Sequence, residues 1–461
     1  MQVSDWLKKL GLGQHAQRLA ENYISFSVLP DLTDQDLKDI GVSLAHQRQS
    51  LREIANFGKM AAPSSSAPPP AAPPITTTIA PHAEATAERR QVTVMFSDLV
   101  GSTALSARMA GRNGVEEGPA ASVPGPQTSE DRVVDIFQEW RSGAESLQWR
   151  SSTPANHGRE VEIFHRRSGT PGARGLVCVH GFPTSSIDFF ALTRELGSEF
   201  EIFVLDFAGF GLSEKPPSPY VYSLYDDARL LLHMIGDIWR LSQYTLLTHD
   251  RGTSVGLVAL HMIAEDGGAV APGEAVLTNA NIFLPLANLT PFQKALLDPS
   301  TARSATAKVT PATLAAGMGA FTFLPRRTLD DPEIAAIAKC LAHNSGVQVL
   351  PDTIQYLNER SRDETKWLKT LSHLPVGTSL VWGLHDNVSP LRVANFVWEA
   401  FLKEKPGRNR YWIVPSADHY LQCDAPKELA EIIRLTVKGD DLPLQTLGAR
   451  SDGPVLVDQT R

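Results

Sequence analysis

Cysteine is scarce in this chain: Cys178, Cys340 and Cys423 are far apart and odd in number. That excludes a disulfide framework and suits a reducing cytoplasm, and none of the three stands at metal-ligand spacing from another. No stretch stays apolar for the roughly 18 residues a membrane span needs. The opening Met-Gln-Val-Ser-Asp-Trp lacks the basic-then-apolar pattern of a secretion signal. The expected location is therefore cytoplasmic, with no membrane partner. An excess of positive charge is missing too. The net charge of -8 disfavours long-range attraction to nucleic acid. In Asp206-Phe-Ala-Gly-Phe-Gly-Leu-Ser213 no third glycine opens a helix, so this is a backbone turn and not a dinucleotide loop. No cofactor and no metal is expected. What is present, 42% hydrophobic and 20% charged residues over 461 positions, describes globular protein with room for two folded units.

Residues 4–57 carry apolar positions at helical spacing: Trp6, Leu7 and Leu10, then Leu29, Leu32, Leu37 and Ile40, then Leu51 and Ile54. Thr33 with Asp36 forms a capping box, Asp standing in for Glu. The words "WLKKLGLGQHA", "LPDLTDQDLKDIGV" and "HQRQSLREIANF" resemble a sterile alpha motif (SAM) domain over 1–58. The resemblance implies a helical interaction module. Its acidic Asp31, Asp34, Asp36 and Asp39 and its basic Arg48 and Arg52 would pair head to tail, through self-association or with another SAM domain. Each charge also fits an ordinary solvated face.

Residues 59–130 read as a linker rich in Pro and Ala, too poor in apolar residues to fold. Inside it, 88–109, "ERRQVTVMFSDLVGSTALSARM", resembles the opening strand of a class III nucleotide cyclase, with Asp98 at a metal-holding aspartate of that family. No second aspartate follows, and one carboxylate does not organise a two-metal site. The expectation is a remnant without activity.

From 131 to 437 strand-like and helix-like segments alternate. The predicted fold class is α/β, a mostly parallel sheet with helices on both faces. Near-continuous apolar runs mark buried strands at Leu176–Val179, Ile202–Leu205, Tyr244–Leu247, Ala275–Leu277, Ser379–Trp382 and Tyr411–Val414. Between about 284 and 373 the pattern turns helical, with Asp331-Pro332 as N-cap and first-turn proline, and predicts a cap over the sheet. The tail from Lys438 to Arg461 lacks periodicity and is expected to fray.

The candidate site centres on Asp250. Tyr244 to His249 is an apolar run, Thr248 and Gly252 flank the aspartate, and a helical pattern begins near Gly252. Small residues around a turn between strand and helix are the mark of a nucleophile elbow. A carboxylate there can attack saturated carbon and leave an ester for water to cleave. An aspartate before a helix also fits a plain N-cap. Two further segments favour the nucleophile. After the Leu176–Val179 strand, His180-Gly-Phe-Pro-Thr-Ser-Ser186 is placed to supply an oxyanion amide from Phe182, with Arg251 as the second donor. After the later strands come Asp386 and then His419, in the order acid, then base, that this elbow requires. Asp386 would orient the imidazole and His419 would activate water. His249, His385 and Asp418 are neighbouring decoys, and Asp424, shortly before Pro426, reads as a helix N-cap.

"HGFPTSS", "LDFAGFGLSEKP", "LLTHDRG", "TNANIF" and "IQYLNER" resemble the epoxide-hydrolase-like branch of the α/β-hydrolases, in particular the mesoderm-specific transcript protein family. The resemblance implies a small electrophile as substrate, with Tyr356 of the cap and His180 lining its pocket. Haloalkane dehalogenases place tryptophan after the nucleophile, where this chain has Arg251. Fluoroacetate dehalogenases carry a further arginine where it has Ser254. Epoxide hydrolases use two cap tyrosines, and only Tyr356 lies in this cap. Epoxide hydrolysis is the first expectation and dehalogenation the second. The rival from another class is a non-catalytic adaptor in which the SAM segment acts and the hydrolase fold is a scaffold.

Overall fold

The computed structural model describes residues 135–440, 442 and 453–460. The SAM-like segment 1–58, the linker 59–130 and its cyclase-like stretch with Asp98 lie outside the described residues. Nine strands form one sheet: β1 Glu145–Arg150, β2 Glu160–Gly169, β3 Arg174–Val179, β4 Phe200–Leu205, β5 Tyr244–His249, β6 Glu274–Thr278, β7 Gly377–Gly383, β8 Asn409–Val414 and β9 Val455–Gln459. Their order is β1-β2-β4-β3-β5-β6-β7-β8-β9. β4, β3, β5, β6, β7 and β8 are mutually parallel; β1, β2 and β9 join antiparallel. All of β5 and β8 is buried, as is β3 beyond its first residue. This is why these strands read as unbroken apolar runs: helices cover both of their faces.

Each of the six predicted strands is present, extended by one or two residues at one or both ends. Three strands were not foreseen. β2 buries Val161, Ile163 and His165 on one face while Glu160 and Glu162 face water, and its run is broken by charge. The tail from Lys438, expected to fray, instead contributes β9, which closes the sheet edge against β8 with a register shift at Tyr411/Trp412. Only Val455 and Leu456 of β9 are buried, so its sequence carries no clear period.

The cap is helical from Leu284 to the end of the helix Tyr356–Leu371, as expected. Asp331 caps the helix Pro332–Ala342 by accepting from the amides of Glu333 and Ile334. The helix Tyr356–Leu371 is fixed to the body. Glu359 accepts from the Ser223 hydroxyl at 2.8 Å and the Leu224 amide at 2.6 Å, and the Tyr225 hydroxyl donates to Asp363 at 3.0 Å. Asp424 does not cap the helix Pro426–Lys438. It closes the preceding turn Leu421–Asp424, and its carboxylate accepts from the amides of Leu324 (2.9 Å) and Asp418 (3.0 Å), tying the cap to the loop that carries His419. Among the described residues no helix is long and apolar enough to cross a membrane.

The helix Arg251–Asp266 passes close under the end of β3. A Cβ on Gly252 would meet the carbonyl oxygens of Val179 at 2.3 Å and His180 at 2.5 Å. Both atoms are main chain and cannot swing away. Gly252→Ala is expected to destabilise the fold by about 1–3 kcal/mol through forced separation of helix and strand. Chemical denaturation followed by tryptophan fluorescence checks this; an unchanged midpoint would contradict the close approach.

Candidate active site

Asp250, Asp386 and His419 each stand just beyond the carboxyl end of a parallel strand, where ligands collect in open α/β sheets. Asp250 follows β5 with φ 46° and ψ -117°, a conformation that side chains rarely adopt. Its carboxylate caps nothing in the helix that follows. Oδ2 instead accepts from the Phe182 amide at 2.9 Å, across the gap from the loop after β3. Gly181 makes room, since a Cβ there would lie 2.8 Å from Asp250 Cβ. The simple N-cap alternative is thereby set aside.

Asp386, after β7, is saturated with donors. Oδ1 accepts from the amides of Val388 and Ser389, both at 2.8 Å; Oδ2 accepts from Asn279 Nδ2 at 2.8 Å and meets His419 Nδ1 at 3.0 Å. This fixes the orientation of the imidazole and places a proton on Nδ1, toward Asp386. Burial opposes a charge on His419, but Asp386, its hydrogen bond and the Asp250 carboxylate prevail and push the imidazole up to about 9. Asn279, at φ 40° after β6, also donates to the Asp418 carbonyl at 3.1 Å and accepts from the Gly383 amide at 3.2 Å. It therefore knits together the loops that carry acid and base. Sequence reading gave it no role, although it lies in the word "TNANIF" directly after a strand.

The decoys resolve by geometry. His385 is exposed. Asp418 is bonded to Arg326 of the cap at 2.7 Å and to the His419 amide at 2.8 Å. His249 is buried with its ring 5.0 Å from that of His419. His180 departs from expectation. Its Nε2 accepts from the Phe207 amide at 3.1 Å and its Nδ1 donates to the Gly181 carbonyl at 2.8 Å, so both nitrogens clamp main chain and none faces a substrate. Burial brings it down to about 4, which keeps it neutral. Of the two expected oxyanion donors, Phe182 directs its amide to Asp250 Oδ2; Arg251 is conspicuous for its side chain.

That side chain is fully buried, bonded through Nη2 to Asp227, and covered by the rings of Phe210 (4.9 Å), Tyr356 (5.2 Å) and Phe207 (5.7 Å). Tyr356 comes from the cap: its ring is 6.0 Å from Phe182, and burial and the Asp250 charge hold its phenol protonated. Arg360, one turn on, donates from Nε to the Ser254 hydroxyl at 2.7 Å and from Nη1 to the Asn281 carbonyl at 2.8 Å. A guanidinium thus reaches residue 254 from the cap. Asp250, His419 and Tyr356 are 4%, 3% and 2% exposed, so the cap is closed over them. Beside the site a small cavity is lined by Pro183, Phe210, Lys215, Ile337 and Cys340 among others. Among the described residues no cluster of three or more His, Cys, Asp or Glu side chains is arranged to hold a metal.

The family model of the alpha/beta hydrolase family matches residues 176–432. The chain belongs to that family. The SAM domain (sterile alpha motif) model matches residues 1–57; the cyclase-like stretch 88–109 falls outside both matches. Among curated proteins, this α/β hydrolase is 33% identical over 300 residues to the putative hydrolase LipZ of Mycobacterium tuberculosis, covering 64% of this chain and 95% of that one. It is 25% identical over 283 residues to the human mesoderm-specific transcript homolog protein, covering 60% and 83%. Among solved structures, an alpha/beta hydrolase fold protein from Burkholderia ambifaria aligns at TM-score 0.50 and 20% identity, over 63% of this chain and 96% of that one. Cfl2 from Burkholderia cenocepacia aligns at 0.51 and 16%, over 63% and 95%. These two share the fold.

The position of His419 carries a pH signature. An imidazole at about 9 in the folded protein against 6.5 unfolded binds its proton more tightly when folded. This stabilisation is complete below pH 6.5 and is lost as pH rises through 9. The stability difference between wild type and His419→Gln is expected to narrow by about 3 kcal/mol over that range. Denaturant titrations at pH 6 and pH 9.5 measure it, and a pH-independent difference would contradict the Asp386–His419 pairing.

Proposed function

We propose that Asp250 attacks a saturated, electrophilic carbon of a small molecule, and that the resulting ester is hydrolysed with His419 as base. The electrophile that suits the site best is an epoxide. The observation that carries this reading is the Asp250 carboxylate itself, raised on the elbow, held by the Phe182 amide and bonded to nothing in its own helix. With Oδ2 so engaged, Oδ1 is the attacking atom. A bond forms from Oδ1 to carbon, the epoxide C–O bond breaks, and the alkoxide takes its proton from Tyr356. Water then loses a proton to His419 Nε2 and adds to Asp250 Cγ. The charge that develops on Oδ2 meets the Phe182 N–H. Collapse expels the alcohol oxygen, which takes the remaining proton of the added hydroxyl; the diol leaves, and Asp250 returns to a carboxylate that keeps an oxygen atom from water. The His419 proton returns to Tyr356.

Dehalogenation has less support. Arg251 stands where a halide-holding tryptophan is wanted, with one arm committed to Asp227. The adaptor reading is favoured by one observation, the closure of the cap over Asp250, and under it the SAM segment does the work.

Intact-mass spectrometry of the full-length protein after exposure to a panel of small epoxides and haloalkanes separates these readings. His419→Gln is expected to accumulate the alkyl adduct on Asp250 while its turnover falls by about 10²–10⁴-fold. Asp250→Ala should form no adduct, and Asp386→Ala should slow hydrolysis without abolishing it. An adduct on serine or cysteine, or normal turnover in His419→Gln, would sink the mechanism; no reaction with any member of the panel would favour the adaptor.

A further inference from the structure

One buried histidine takes no part in the steps described so far. His249, directly before Asp250, is 0% exposed, and its Nε2 has no hydrogen-bond partner among the described residues. The other ring nitrogen settles the tautomer. The Thr278 hydroxyl has a single hydrogen, and the Thr248 carbonyl, a pure acceptor at 2.9 Å, takes it. Toward His249 Nδ1, at 3.4 Å, the same oxygen is left to accept, so Nδ1 carries a proton. Burial first, then His419 and His180, press the His249 ring well below its ordinary range and keep it neutral. Nε2 therefore presents a bare lone pair. A buried acceptor without a donor is costly, and a buried water is the usual remedy.

This nitrogen lies among the reacting groups. The ring centre of His249 is 5.0 Å from that of His419, with the rings inclined at 55°. A Cβ on Gly181 would meet His249 Cδ2, the carbon bonded to Nε2, at 3.2 Å and Asp250 Oδ2 at 3.1 Å. The edge of His249 and the Asp250 carboxylate thus flank one point, with the His419 ring alongside. The cap closes over Asp250 and His419, which are 4% and 3% exposed. Under the mechanism proposed above, the water that cleaves the ester has to be held inside this closed site.

We propose that His249 Nε2 holds the hydrolytic water, accepting one of its O–H groups while the other is directed at His419 Nε2. The water site stands on the tautomer and the burial of His249; its part in ester cleavage rests on Asp250 as nucleophile. In the resting site the water accepts from protonated His419 and donates to His249. After alkylation His419 takes one proton from the water and the oxygen adds to Asp250 Cγ. The second hydrogen stays on that oxygen, bonded to His249, until the departing alcohol oxygen collects it. His249 takes up no proton at any step. It orients the water and is a positioning residue, whereas His419 is the base.

Two amides that mimic opposite halves of the ring test this. His249→Gln sets an amide oxygen near the place of Nε2 and gives up Nδ1; His249→Asn sets an amide N–H near the place of Nδ1 and gives up Nε2. In the full-length protein, rapid-quench mass spectrometry with the small epoxides follows formation and loss of the Asp250 ester. His249→Asn is expected to slow ester loss by about 100-fold, more than ester formation, so that adduct accumulates, while His249→Gln stays within about 10-fold of wild type. The reverse order, with asparagine tolerated and glutamine impaired, assigns His249 to its Thr278 contact alone and overturns the proposal. Equal impairment in both variants, or normal hydrolysis in both, also overturns it. A second measurement needs neither variant nor substrate. Heteronuclear NMR of the histidine rings in the full-length wild type should show His249 protonated on Nδ1, with cross-relaxation from a long-lived water to its ring protons. A proton on Nε2, or no such water, overturns the water site. A water there with no ester from any epoxide removes Asp250 as nucleophile and leaves the site standing; ester formation with no water there removes the site and leaves the nucleophile.

Discussion

The backbone of one residue governs the architecture of the site. At φ 46° and ψ -117° Asp250 holds a conformation that costs on the order of 1–3 kcal/mol. Its surroundings impose it. The Asp250 amide donates to the Thr278 carbonyl at 3.2 Å, the Thr253 amide donates to the Asp250 carbonyl at 3.0 Å, and the Thr278 hydroxyl donates to the Thr248 carbonyl at 2.9 Å. β5 is buried along its whole length and cannot yield. The helix after it is drawn so close to β3 that only glycine fits at 252. The consequence is a carboxylate turned out of its own helix and into the space where the loops after β3, β6, β7 and β8 meet.

Those loops are secured by buried polar groups, and the contrast among these groups is informative. Asp206, after β4, accepts from the Ser186 amide at 2.8 Å and the Leu212 amide at 2.7 Å, and His180 spans from its own loop to Phe207. Asp386 has four partners. Such groups are satisfied by the protein and so make structure. Arg251 is held by Asp227, which burial raises to about 7 even beside a guanidinium. That pairing is incomplete on the arginine side, and Arg360 has no carboxylate among its bonded partners. Polar satisfaction therefore divides the buried charges into those whose hydrogen bonds are filled by the loops and those left with unfilled N–H groups.

How much of this was legible in the sequence follows from how far each feature reaches along the chain. The buried parallel strands were readable because burial on both faces leaves a continuous apolar run, and the elbow because a tight turn demands small residues at fixed offsets. Asp386 and His419 stood out by strand ends and chain order, and the fold pairs their side chains. β1, β2 and β9 were missed because they lie at or next to the edges of the sheet, where strands are half solvated and carry charge. Asp424 was misread because a short helical turn before Pro426 redirects it to amides of the cap and of its own loop. Asn279 left a trace in a word after β6, but its role depends on loops from two other strands. Arg360 likewise ends the word "IQYLNER", but its contact with Ser254 spans 106 residues, and only the folded cap brings them together.

In the mechanism proposed above, one charge links the two chemical steps. The Asp250 carboxylate is among the causes that raise His419 to about 9 and that keep the Tyr356 phenol protonated. In the resting site this favours an intact acid and an imidazole that already carries a proton, which cannot yet activate water. Alkylation makes Asp250 neutral. The same event withdraws support for the proton on Tyr356 when an alkoxide needs it, and for the extra proton on His419 when a base is needed. Both shifts run in the direction of the next step. They follow from the burial of all three groups, since a solvated carboxylate would be screened and its loss felt weakly. Under the proposed mechanism, burial beneath the cap is what keeps the coupling among these three groups strong.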